Sequence, residues 1–236
     1  MNQEQLVLRN KLKKFYDENF CIFSKKLNPK NKVLGVKMTF VRLIAKQYLK
    51  DPLKAQKLLD FDNKDSFYLE ELMVIAIIIA NIKTPKRFYF IERLLPLSEG
   101  WAVCDLLCSE LKEAFTLKNA YWEFIINKFN SKKDYNIRFA AVMALHYFTD
   151  KKYLNVLLDK VLLNNSTSEF YAKMGIAWMI ATLFCFHEKN VFDFLKNSPL
   201  SYEIKKTSMQ KIIDSHLVNH ENKEKIKKMR YDLKNK

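Results

Sequence analysis

Three short segments carry charged and aromatic side chains at helical spacing. Trp101 and Asp105 are four residues apart, which places an indole and a carboxylate on one face of a helix. Tyr171 and Trp178 are seven residues apart, or two turns, within an apolar stretch. Arg138 opens another apolar run, where a cation is unfavourably placed for the helix dipole, so it is expected to have a specific partner. Taken by themselves, these residues favour the ordinary interpretation, in which both tryptophans lie in the core and Arg138 pairs with Asp105 or another acid.

Other groups that could do chemistry are less promising. Glu70 and Glu71 are adjacent, and neighbouring helical positions are 100° apart, so both cannot face one substrate. We expect one of them to be buried and the other solvated. His216 and His220 have a metal-binding spacing, but the Glu of an H-E-x-x-H motif and a third ligand are missing nearby. No metal site is predicted.

Composition excludes several large classes of protein. With 3 Gly in 236 residues, there is no room for the Gly-rich loops that cradle phosphates, so nucleotide cofactors are not expected. Together with 5 Pro, this scarcity also argues against an all-β fold. The 4 Cys form neither a disulfide framework nor a C-x-x-C site. The apolar runs are too short for a membrane span and no signal peptide is evident, so a soluble, intracellular chain is expected.

The formal charge of +15 is concentrated at the two ends of the chain. Residues 1–50 hold 12 Lys/Arg and 3 Asp/Glu, and residues 220–236 hold 7 and 3. The 169 residues between them hold 22 and 20. Such an excess favours a polyanionic partner, because each neutralised phosphate releases counterions. The alternative is an ordinary solvated lysine surface.

The elements that must position these residues are helices. Apolar residues recur at helical spacing along nearly the whole chain, which predicts about a dozen helices of 8 to 17 residues. Three of them are expected to span Trp101–Phe115, Lys151–Leu163 and Phe170–Phe186. Helix pairs recur at roughly 35 to 45 residues, as in HEAT-type repeats. The prediction is an all-α superhelical solenoid of HEAT-like two-helix repeats, forming a single domain over residues 1–236, with a compact bundle as the alternative.

Five segments, taken in order, resemble the AlkD-type DNA alkylation repair glycosylases, a family built of HEAT-like repeats. No one of these motifs is specific, but their order and spacing together are. Met38-Thr39 stands where the family often has Pro, and Gly100 stands where Asn is commoner. The matching segments are Gly35-Val36-Lys37 with Val41–Lys46, Tyr68 with Glu70-Glu71, Trp101 with Cys104-Asp105, Asn136–Met143, and Tyr171–Trp178.

The resemblance implies a monofunctional glycosylase that hydrolyses the N-glycosidic bond of cationic N3- or N7-alkylated purines in duplex DNA, without a cofactor. It implies a C-shaped solenoid with a concave basic cleft. Asp105 would be the catalytic carboxylate, and Trp101 and Trp178 would be aromatic walls of the site. Arg138 would hold a phosphate. Further DNA contacts are predicted for Lys37, Arg42, Lys46, Tyr171 and Lys173.

Two other functions stay open at this point. A non-catalytic relative could bind distorted or branched DNA with the same charges and no use for Asp105. Less favoured is a HEAT-repeat scaffold for an acidic protein. The expected protein is a monomer in the bacterial cytoplasm, associated with the nucleoid when bound to DNA.

Overall fold

The computed structural model describes residues 2–61, 67–83, 85–98, 100–131 and 133–234. Within these ranges the chain forms fourteen α-helices and no strand, which confirms the all-α prediction. The helices are α1 Gln3–Lys13, α2 Glu18–Leu27, α3 Met38–Leu49, α4 Pro52–Leu59, α5 Leu69–Ala80, α6 Lys86–Leu94, α7 Ala102–Glu110, α8 Lys118–Phe129, α9 Asp134–Tyr147, α10 Lys151–Leu163, α11 Phe170–Phe186, α12 Glu188–Asn197, α13 Tyr202–Asp214 and α14 His220–Lys234.

The chain divides into two compact units, Met1–Lys112 and Glu113–Lys236. Helix α5 is the centre of the first unit and packs against α1, α3, α4, α6 and α7. Because neighbours surround it, α5 is apolar on every side, and every residue from Val74 to Ala80 is buried. The prediction of a single domain over residues 1–236 stays a prediction.

Helix α11 is the centre of the second unit. It packs against α9, α12 and α13, while α8 covers α9 and α14 covers α13. Arg138 of α9 contacts the N-terminal part of α11, and His146, two turns later in α9, contacts Trp178, later in α11. Since the contacts follow the same order along both helices, α9 and α11 run parallel.

Helices that are two apart in the sequence pack side by side in both units. In the first unit α3 packs on α5 and α5 on α7, and in the second α9 packs on α11 and α11 on α13. This is the arrangement that stacked two-helix repeats produce, because each repeat contributes one helix to each layer. The structure is therefore compatible with the predicted helical-repeat solenoid.

One predicted helix is shorter than expected. The pattern of Trp101–Phe115 predicts a single helix, but α7 ends at Glu110 and Lys112–Phe115 forms a separate 3-10 turn. Leu111 leaves the helical conformation with φ −77° and ψ 48°. Both Leu111 and Ala114 are fully buried. A continuing helix would point these two side chains in other directions, so the break keeps them in the core.

Neither a membrane span nor a metal cluster is found within the described ranges. No helix there is long and apolar enough to cross a bilayer. No group of three or more His, Cys, Asp and Glu side chains in the same ranges has an arrangement that could hold a metal ion.

Gly175 sets the close approach of α9 and α11. A Cβ placed there would lie 3.3 Å from both Cα and Cγ of Arg138. We expect Gly175→Val to destabilise the protein by about 1–3 kcal/mol, because its branched side chain overpacks this contact. Gly175→Ala should be nearly neutral, because the gain in helix propensity of about 1 kcal/mol offsets the tighter contact. Urea unfolding followed by circular dichroism measures both, and a Val variant with the wild-type midpoint would contradict the expectation.

Candidate functional site

Asp105 lies in the first turn of α7. Its backbone N–H donates to the carbonyl of Trp101 at 2.9 Å, so the two predicted residues are joined across the first turn of the helix. Gly100, just before them, has φ 127°, a value that side chains disfavour, and its N–H donates to the carbonyl of Ser98. Asp105 is half-buried. A carboxylate in this position is stabilised by the positive end of the helix dipole.

Trp101 is held in place by its single hydrogen-bond donor. Indole Nε1 donates to the carbonyl of Leu27, the last residue of α2, at 3.2 Å. The side chain nevertheless stays 37% exposed. An indole that is fixed at its N–H and partly open to solvent keeps aromatic surface accessible beside the Asp105 turn, which a fully buried core tryptophan does not.

Glu70 and Glu71 are both buried, at 2% and 1% exposure, so the expectation that one of them is solvated was wrong. Glu70 accepts hydrogen bonds from the backbone N–H groups of Leu34, Gly35 and Val36 at 2.9, 2.8 and 3.1 Å. Each carboxylate accepts hydrogen bonds from groups of the first unit, so neither is open to a substrate.

Glu71 pairs with a cation rather than with a loop. Arg9 of α1 donates to its two oxygens through Nε at 2.8 Å and Nη2 at 3.0 Å. The N–H of Tyr68 adds a third bond at 2.7 Å. The carboxylate thus holds α1 against the start of α5, and the ion pair raises the pKa of Arg9.

The predicted basic residues of α3 are exposed, and two of them have ion-pair partners. Lys37, at the start of α3, pairs with Asp17 at 2.7 Å and lowers the pKa of that carboxyl. Arg42 pairs with Glu110, the last residue of α7, at 2.5 Å. Lys46 is exposed one turn further along. Surface ion pairs are worth about 0–1 kcal/mol, so a phosphate can replace either carboxylate at little cost.

In the second unit, Arg138 and Tyr171 are brought together. Arg138 is only 6% exposed, and its Nη1 donates to the carbonyl of Tyr171 at 2.9 Å. The stem of the arginine packs on Gly175, as described above. The predicted specific partner of Arg138 is therefore, at least in part, the backbone of α11. Tyr171 itself is half-buried, with its ring edge-on to Phe170.

Trp178 lies two turns after Tyr171 on the same helix. It is half-buried, and its ring meets the ring of His146 edge-to-face, with centroids 6.2 Å apart. The indole also lines an open cleft of about 270 Å³ together with Thr182, Cys185 and residues of the α13 end. His146 is exposed, and sequence reasoning gave it no role. Its position two turns after Arg138 on α9 is the signal that could have found it.

Lys173 forms an ion pair with Glu203 of α13, which lowers the pKa of that carboxyl. The pair links α11 to α13 on the surface of the second unit. Of the predicted site residues, the structure joins Trp101 with Asp105 in the first unit and Arg138 with Tyr171 in the second. It places Trp178 on the same face of α11 as Tyr171, and it places Lys37, Arg42 and Lys46 on the surface of the first unit.

A comparison with family models and with curated proteins bears on these segments. No similar curated protein is found. The family model described as DNA alkylation repair enzyme matches residues 8–212, which include all five segments that carry the resemblance. The chain belongs to the family of DNA alkylation repair enzymes.

Proposed function

We propose that this protein is a monofunctional DNA glycosylase that removes cationic N3- and N7-alkylated purines from duplex DNA. The observation that carries the proposal is the Trp101–Asp105 turn. A half-buried carboxylate there lies one helical turn from an exposed indole fixed to the Leu27 carbonyl, in a chain of the DNA alkylation repair family.

The chemistry of the lesion explains why one carboxylate suffices. Cleavage breaks the bond between C1′ and the purine nitrogen, and the bonding electrons go to the purine. An alkylated purine that carries a positive charge therefore leaves neutral, without an acid to protonate it. The oxygen of a water molecule forms the new bond to C1′, and a proton of that water is released to solvent or to the carboxylate. Positive charge develops at C1′ in the transition state.

Asp105 would act on that developing charge. A carboxylate fixed by a helix turn and partly shielded from water stabilises an oxocarbenium-like state more than the ground state, and it orients the attacking water. No lysine with a depressed pKa or a buried amine is needed, because no covalent intermediate is invoked.

Trp101 and Trp178 would give selectivity for charged bases. The face of an indole attracts a cation by about 0.5–2 kcal/mol, an attraction that an unmodified purine lacks. Trp101 is favoured in this role by its fixed and exposed ring, and Trp178 by the open cleft that its ring lines.

Arg138 would hold a phosphate of the damaged strand. Its support is the anchoring of the side chain by the Tyr171 carbonyl and by Gly175, which fixes the direction of a charged donor group. Lys37, Arg42, Lys46 and Lys173, with the predicted contact at Tyr171, would add sequence-independent contacts to the backbone. The enzyme would act as a monomer on chromosomal DNA in the bacterial cytoplasm.

Base release tests the proposal directly. Purified, folded wild-type protein is incubated with methylated duplex DNA, and free 7-methylguanine and 3-methyladenine are measured by liquid chromatography. Release of either base above the spontaneous rate is expected. Absence of release overturns the proposal. If such a protein still binds duplex DNA with an affinity that falls steeply with salt, the non-catalytic alternative is favoured.

A further inference from the structure

The surface of α13 and α14 carries a cleft that the proposed site does not use. The cleft has a volume of about 410 Å³ and lies entirely in the second unit. Its lining combines two tyrosines, three cations and one leucine, namely Tyr202, Lys206, Lys227, Arg230, Tyr231 and Leu233. Ligand sites commonly have volumes of about 300–1,000 Å³, so a nucleotide-sized group fits here.

The two tyrosines are unusually open for aromatic side chains. Tyr202 is 47% exposed and Tyr231 is 69% exposed. Tyr202 begins α13 and Tyr231 lies in the last turns of α14, so each ring is presented by a separate helix at one cleft. Both rings therefore keep much of their surface accessible to a ligand.

The three cations line the same cleft as those rings. Lys206 lies over the ring of Tyr202, with Nζ 5.7 Å from the centroid. Lys227 pairs with Glu224 at 2.7 Å, an exposed contact that is weak in water and that lowers the pKa of the Glu224 carboxyl. Arg230, which is half-buried, is the third cation of the lining. Aromatic faces interleaved with cations are the features by which proteins hold single-stranded nucleic acid, where bases stack on the rings and phosphates meet the cations.

We propose that this cleft binds unpaired DNA, with bases stacked on Tyr202 and Tyr231 and the backbone held by Lys206, Lys227 and Arg230. The choice of DNA rests on the proposed function, whereas the stacking and charge argument does not. A duplex is a poorer fit, because its bases are already stacked on each other and present no free faces to the tyrosines. An acidic peptide would use the cations but not two exposed rings.

The test is fluorescence anisotropy with a labelled twelve-residue oligothymidine. The Tyr202→Ala/Tyr231→Ala variant should bind at least about 10-fold more weakly, as expected for the loss of two stacked bases. The Tyr202→Phe/Tyr231→Phe variant should bind as wild type, since it retains both ring faces. As a matched control, Tyr89→Ala/Phe186→Ala removes two exposed rings elsewhere and should change nothing. Wild-type affinity of the double alanine variant, or equal loss in the phenylalanine variant, overturns the proposal.

Charge and ligand size give two further outcomes. Removing two cations in Lys206→Ala/Arg230→Ala should reduce the slope of log affinity against log salt by about 1.4, because each contact with a single strand contributes about 0.7. Thymidine monophosphate should compete poorly with the oligonucleotide. If the mononucleotide binds as tightly, the cleft is a nucleotide site and the proposal fails. Oligothymidine carries no alkylated purine, so these results are independent of base release from methylated duplex DNA.

Discussion

Replacing Asp105 by asparagine is expected to lower the rate of 7-methylguanine release by on the order of 10²–10³-fold. Asparagine keeps the size and shape of the side chain and removes its charge. The half-buried carboxylate at the start of α7 is the group proposed to face the positive charge at C1′, so the loss falls on the transition state rather than on binding. Single-turnover release from methylated duplex DNA with enzyme in excess measures the effect on the chemical step.

Two further measurements separate this loss from misfolding or weak binding. Asp159→Asn, at an exposed position of α10, makes the same chemical change away from the site and should release base at the wild-type rate. The Asp105→Asn protein should bind undamaged duplex DNA at least as tightly as wild type, because one negative charge near the phosphates is gone. An undiminished rate of release in Asp105→Asn would show that this carboxylate is not catalytic.

The helices themselves were largely predictable from the sequence. The expected helices at 151–163 and 170–186 coincide with α10 and α11, because long apolar periodicity with polar ends leaves few alternatives. The break at Leu111 was not predicted, since the segment contains neither Gly nor Pro at that point. Tertiary packing ends α7 there, and a local pattern carries no information on that packing.

The residue types of the candidate site could be predicted from the sequence, but their hydrogen-bond partners could not. The sequence indicates that Arg138 needs a partner, but the structure supplies the carbonyl of Tyr171, a group that every residue has. In the same way, the adjacent acids predicted one buried and one solvated residue. Both are buried because each has hydrogen-bond donors around it, Arg9 for Glu71 and the 34–36 backbone for Glu70. These donors lie far away in sequence, so a local pattern does not show them. Periodicity cannot find partners of this kind.

The Glu70 carboxylate organises the segment that leads into α3. Val33 to Val36 is buried but belongs to no helix, so its N–H groups depend on partners from elsewhere. Three of them donate to Glu70, and the carbonyl of Gly35 accepts from the N–H of Asp17 at 3.0 Å. Gly35 has φ +83°, and a Cβ there would collide with Cys21, so the chain can turn here only as glycine.

We expect Glu70→Ala to destabilise the protein by about 3–5 kcal/mol. The substitution leaves three buried N–H donors without their acceptor, and each such donor costs about 1–3 kcal/mol unless water reaches it. Glu70→Gln should cost less, about 1–3 kcal/mol, because its amide oxygen still accepts while its NH₂ group opposes an N–H donor. Urea unfolding measures these differences in the free energy of unfolding.

Hydrogen exchange shows whether the loss arises at this loop. In Glu70→Ala the amides of Leu34, Gly35 and Val36 should exchange much faster than in wild type, since their protection depends on the carboxylate. Glu123→Ala, at an exposed position of α8, is the matched control and should change the free energy of unfolding by less than about 0.5 kcal/mol. Slow exchange at all three amides in Glu70→Ala would mean that the rest of the unit, and not Glu70, holds the loop. Lys37, which follows the loop at the start of α3, would then owe its position to its ion pair with Asp17 and to the packing of α3 on α5.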